Sequence, residues 1–136
     1  MCGGVYYQHQ GQEVRVYFPN PAACLPVRTR QHTSELLPWG RRKGQPGRLP
    51  LGGWARLESI RAGRWERWFP VPVKLDILSF MEKDMEGRSH WYDLSQGQWI
   101  QGLVAREGHE QRVYVVTITP EMADAVHDRW PRLMQA

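Results

Sequence analysis

A chain of 136 residues, 41% hydrophobic and 11% aromatic, suffices for one domain with a real core and is too apolar for wholesale disorder. No run approaches the roughly 18 consecutive apolar residues of a membrane span, the opening Met1-Cys2-Gly3-Gly4-Val5-Tyr6 lacks the basic and apolar regions of a secretory signal, and two cysteines exclude a disulfide scaffold. The net charge of +4 is unevenly spread: residues 1–75 carry 12 basic and 4 acidic side chains (+8), and residues 76–136 carry 6 and 10 (−4).

Short β-type runs recur with turn residues between them, over residues 13–18, 24–29, 71–75, 77–81, 90–94, 99–104 and 112–119. Residues 37–53 form a long basic loop rich in Gly and Pro, of a length that is usually functional or mobile. A helix is expected over about residues 56–68, where Leu57, Ile60 and Arg64 fall near one face. Residues 84–88 and 95–98 read as turns, which gives a meander from about residue 71 to residue 119. Val113-Tyr114-Val115-Val116 is nearly continuously apolar and reads as a strand buried on both faces. Thr119-Pro120-Glu121 puts a hydroxyl, a proline and an acid where a helix N-terminus favours them; that helix would run through Met122, Ala125 and Val126 until Pro131. The expected fold class is mostly β (α+β): a single compact domain, residues 1–136, of antiparallel strands forming an open barrel-like sheet with one or two short helices.

Of the 18 cations, 15 are arginine, and in the basic half they are interleaved with Trp39, Trp54, Trp65 and Trp68. The planar guanidinium pairs with phosphate and stacks on bases. Cations mixed with flat aromatic surface are what single-stranded nucleic-acid binding uses; the plainer alternative is a solvated basic face.

Cys2 is the first residue with chemistry to offer. A small second residue lets Met1 be removed, leaving Cys2 with a free α-amine beside its thiol. The amine, with a pKa of about 7.7–8.0, forms a Schiff base with an aldehyde, and the thiolate can close onto the same carbon as a thiazolidine. The plain alternative is a small residue at a frayed terminus. Val126-His127-Asp128-Arg129-Trp130-Pro131 then ends the expected last helix. A His at a helix C-terminus has its protonated form favoured and can shuttle a proton.

Six pieces in chain order resemble one family. They are Met1-Cys2-Gly3; Tyr17 with Pro21; Trp39-Gly40; Ala55-Arg56-Leu57-Glu58; Phe80-Met81-Glu82; and Val115-Val116-Thr117-Ile118-Thr119 followed by His127-Asp128-Arg129-Trp130-Pro131. Across essentially the whole chain this is similar to the SOS-response-associated peptidase family, whose members shield abasic sites in single-stranded DNA through a covalent crosslink. The resemblance implies Cys2 as the crosslinking nucleophile. It implies Glu82 as the carboxyl that handles protons at the amine and departing oxygen, a task suited to a raised pKa, and His127 as the residue assisting sugar ring opening and adduct reversal. Arg56 would hold a phosphate, positioned by Glu58, with Arg129 in support. Trp39 and Pro21 would border the strand, with Arg41 and Trp54 as further DNA contacts. The bland alternatives are a solvated Glu82, Trp39 as a core anchor, and Arg56/Glu58 as a surface ion pair of little weight.

The departures matter as much. The family's Asn before Ala-Arg is Trp54 here, and an indole only donates, so it cannot replace an amide that orients a nucleophile. One lost oxyanion donor typically costs about 10²–10³ in rate. Gly4 stands where the family usually has Arg, and typical members are much longer, so the chain reads as a compact, divergent, phage-related version. The expected function is binding of single-stranded DNA with covalent capture of abasic sites through Cys2. The alternatives are a catalytically impaired single-stranded DNA-binding module and an autoprocessing peptidase acting only on Met1. No cofactor is expected, and no metal, since His9, His32, His90, His109 and His127 lack ligand-like spacing. The expected partner is single-stranded or abasic DNA without a membrane, and the expected state is a cytoplasmic monomer that joins the nucleoid when bound to DNA.

Overall fold

The computed structural model describes residues 3–120 and 129–136. Its strands begin with β1 (Gly4–His9), β2 (Gln12–Tyr17), β3 (Cys24–Arg28), β4 (Ser34–Pro38) and β5 (Trp54–Arg56). A short helix, α1 (Leu57–Arg61), and a 3-10 turn at Glu66–Trp68 follow. Then come β6 (Val71–Leu75), β7 (Ser79–Lys83), β8 (Ser89–Asp93), β9 (Gln98–Glu107), β10 (Glu110–Ile118), β11 (Trp130–Pro131) and β12 (Leu133–Gln135).

Two sheets result. The first has the order β2-β1-β7-β8, with every pair antiparallel. The second runs β11-β10-β9-β6-β3-β4, with β12 on β9 and the short β5 parallel to β10. The architecture is mostly β, largely antiparallel, and does not close into a barrel.

Strand β10 explains how two hydrophobic clusters coexist. Side chains alternate across a strand, so Val113 and Val115 join Val5, Tyr7, Leu25, Trp39, Leu75, Phe80 and Ile100 in a cluster shared by both sheets. Tyr114 and Val116 point the other way, into Leu49, Ala55, Trp65 and Leu103, where Leu57, Ile60 and Trp68 cover them. This is the strand buried on both faces that its composition predicts.

Two expectations are revised, and a third lies outside the described residues. The helix expected over 56–68 is split, because Gly63 takes a positive φ of 79° after Arg61 and only the 3-10 turn follows. The meander does not stay in one sheet: β6 pairs with β9 in the second, whereas β7 and β8 form a hairpin in the first. The helix expected after Thr119 falls on residues 121–128, outside the described residues, and Trp130–Pro131 is an edge strand on Thr117 and Ile118.

The basic loop is strapped down. Arg41 donates to the carbonyls of Gln45 (2.9 Å) and Leu49 (3.2 Å), and Arg42 to those of Phe18 (2.6 Å) and Trp39 (2.8 Å). Arg112, buried in β10, donates to the Gly40 carbonyl at 2.9 Å. Gly40 itself has φ 55°, and a Cβ there would collide with the Gly52 carbonyl, so only glycine fits where the two ends of the loop meet.

Candidate functional site

Glu82 lies at 0% exposure in β7 and is the only buried acid among the described residues. The register pairs Val5 with Phe80 and Glu82 with His90, so Glu82 shares the inner face of the first sheet with Val5 and Phe80. Immediately beside it, the Gly3 N–H donates to the Met81 carbonyl at 3.0 Å, and the Gly3 carbonyl accepts from Phe18 N–H at 3.1 Å. The backbone next in sequence to Cys2 is therefore tied to the strand that carries Glu82.

The far end of the chain meets the same strand. Trp130 packs edge-on against Phe80 and Tyr92, each at 5.1 Å between centroids. Arg129, 7% exposed, donates to the Thr117 carbonyl (2.8 Å), Thr117 Oγ1 (3.0 Å), Thr119 Oγ1 (3.1 Å) and Glu58 Oε1 (2.7 Å). This guanidinium holds the Glu58 carboxyl below its usual pKa, chiefly through the hydrogen bond. Glu58 thus pairs with Arg129, 71 positions away, instead of bracing its neighbour Arg56. Arg56 remains exposed at the end of β5 with no ion pair among the described residues.

An open pocket of about 440 Å³ begins at Gly3 and is walled by Tyr17, Phe18, Trp54, Met81 and Lys83. Trp54 is half-buried, tilted against Phe18 at 4.8 Å and edge-on to Trp39 at 6.2 Å. A groove of equal volume beside Arg28, Lys74, Asp76 and Trp99 contains none of the residues singled out from the sequence.

Two expected DNA contacts, Trp39 and Arg41, are corrected. Trp39 is wholly buried, and its Nε1 donates to the Gly53 carbonyl at 2.9 Å, so it is a core anchor with no face for a base. Arg41 is half-buried and spends most of its donors on loop carbonyls. Pro21 is exposed but outside the pocket, which Pro19 lines instead; the Pro21 carbonyl accepts from Gln45 Nε2. Cys2 and His127 lie outside the described residues. Lys83 and Phe18 were missed as pocket residues. Lys83 directly follows Glu82 and so faces the other side of β7, a placement that strand alternation offers once the strand is known.

Cys24, the described cysteine, has its thiol pKa pushed up by burial, which disfavours the reactive thiolate. Among the described residues no group of three or more His, Cys, Asp or Glu is placed to hold a metal ion. No described helix is long and apolar enough to cross a membrane. No family model, curated protein or solved structure matches the chain.

Proposed function

We propose that the protein binds single-stranded DNA and captures abasic sites covalently through Cys2 once Met1 is removed. One observation carries this reading: Gly3 is bonded to Met81 and Trp130 is packed on Phe80, so the sequence neighbours of Cys2 and His127 are anchored along the strand of the buried Glu82.

The chemistry follows from those groups. The ring-opened sugar offers an aldehyde carbon; the Cys2 amine adds to it and a carbinolamine forms. Glu82, protonated, gives a proton to the departing oxygen, water leaves, and a protonated Schiff base and the Glu82 carboxylate result. The Cys2 thiol, losing its proton to that carboxylate as it attacks, bonds to the same carbon while the C=N electron pair returns to nitrogen, closing a thiazolidine and restoring the acid. His127 would move the proton that opens the sugar ring. Arg56, exposed and without an ion pair among the described residues, is available for a phosphate, and Lys83 brings a cation to the pocket wall.

A second reading is favoured by Trp54, whose indole stands where the resemblance calls for an amide and lines the pocket with Phe18. It makes the protein a non-catalytic single-stranded DNA-binding module. Mixing the protein with an abasic oligonucleotide and running a denaturing gel separates the two. The first reading expects an adduct that persists in Cys24→Ala and vanishes in Cys2→Ala, with intact mass showing loss of Met1. No adduct from protein lacking Met1 leaves the second reading.

A further inference from the structure

The outer face of the first sheet carries an aromatic surface that the capture chemistry does not use. Residues paired across antiparallel strands share a face. The register therefore sets Tyr17, Gly4, Met81 and Trp91 in one row across the sheet, and Arg15, Tyr6, Ser79 and Asp93 in the next. Tyr17 is 44% exposed and Trp91 36%. Their rings meet edge-on at 6.2 Å. Contact of these two side chains across two intervening strands requires a small residue between them. Gly4 supplies it, since a Cβ there would meet the Tyr17 ring at 2.9 Å. Arg15 is exposed and lays its guanidinium 4.9 Å from the Trp91 ring and 5.6 Å from that of Tyr6.

We infer that this row is a stacking platform for unpaired nucleic acid, carrying the bases that flank the captured nucleotide. The inference rests on the reading of the pocket as a DNA site, because Tyr17 belongs both to the pocket wall and to the row and so makes the two surfaces continuous. The chemistry selects the occupant. Exposed flat rings with a guanidinium held beside them suit any base, and they give sequence-tolerant affinity for a single strand. Paired bases keep their faces stacked inside a duplex and cannot use the platform. Lys83 stands on the pocket wall and Arg15 over the rings, while Asp93 occupies the β8 end of the Arg15 row and Glu13 pairs with Gln8 one row beyond Tyr6. A polyanion entering at the pocket would thus cross Lys83, Tyr17 and Trp91 before reaching the row in which Arg15 and Asp93 both stand.

The test uses fluorescence anisotropy with a fluorescein-labelled oligothymidylate of about 15 nucleotides, within the span that single-strand binders cover. Trp91→Ala is expected to weaken binding roughly tenfold, the loss typical of one stacked base, and Trp91→Tyr to recover most of it. Arg15→Gln is expected to weaken binding and to flatten its salt dependence. Both positions are exposed, and unchanged melting temperatures would verify the fold. Adduct formation with saturating abasic oligonucleotide is expected to persist in all three variants. An affinity of Trp91→Ala within twofold of the native protein would overturn the platform even if the adduct forms. Weaker oligothymidylate binding by Trp91→Ala in a protein that forms no adduct would sink covalent capture and leave the platform standing. A duplex that competes as well as the single strand would also overturn it.

Discussion

Replacing Arg129 by Met tests what ties β11 to the rest of the fold. The guanidinium is 7% exposed, and its donors reach the Thr117 carbonyl and both threonine hydroxyls, besides the carboxylate of Glu58. Met keeps the length and apolar stem but leaves the buried Thr117 acceptors unpaired. An orphaned buried acceptor costs about 1–3 kcal/mol, and a charged donor contributes at the upper end of hydrogen-bond energies. The expected loss is therefore about 3 kcal/mol, or roughly 10 °C in Tm for a domain of this size. Glu58→Gln should behave differently, because that side chain is 58% exposed and solvent screens its pairing with Arg129. Urea unfolding of both variants, with unchanged m, provides the measurement. Glu58 also adds a pH signature. Its folded pKa is depressed, so its contribution is present above the unfolded value and fades as pH falls through the folded one; native and Glu58→Gln midpoints should converge below about pH 4. Equal losses in the two variants, or a loss under about 1 kcal/mol for Arg129→Met, would refute the view that Thr117 is the main anchor.

Other outcomes follow from the same geometry. Trp39→Ala should cost about 3–5 kcal/mol by urea unfolding, because it empties a fully buried site, with little change in oligonucleotide affinity where the protein remains folded. Arg56→Gln should leave stability unchanged and reduce the slope of log K against log salt by about 0.7, whereas Arg41→Gln should lower the melting temperature by freeing the Gln45 and Leu49 carbonyls. Glu82→Gln should slow adduct formation by about a hundredfold or more while preserving oligothymidylate affinity, as quantified on timed denaturing gels.

Much of the strand pattern was legible because β-branched and aromatic runs such as 71–75 and 112–119 stand between turn residues. What was missed has local causes. Strand β1 opens on Gly4 directly after Gly3, a pair that reads as loop. Strand β5 is only Trp54-Ala55-Arg56, ordered by parallel pairing with β10, and no local signal announces such a pairing. Alternation gives a strand's faces but not its sheet, so the crossing between β6 and β7 was invisible. At the candidate site, the resemblance singles out Glu82 but not its burial, and Trp39 reads as a strand contact because its neighbours Gly40, Arg41 and Arg42 look like surface. Those arginines in fact turn inward to backbone carbonyls. Glu58 was assigned to nearby Arg56 because sequence proximity cannot reveal a partner 71 positions away.

The inward turn of Arg41 and Arg42 has a consequence for ion release. Their charge is engaged before any ligand arrives, and Arg28, at the end of β3, is likewise paired with Asp76. Fewer condensed counterions should leave the DNA than a tally of arginines suggests. If three outward cations such as Arg15, Arg56 and Lys83 do the neutralising, log K should fall against log salt with a slope of about −2. If the proposed binding of unpaired DNA holds, its affinity should fall less steeply with ionic strength than the arginine content suggests, because flat ring contacts, unlike phosphate contacts, do not weaken with added salt.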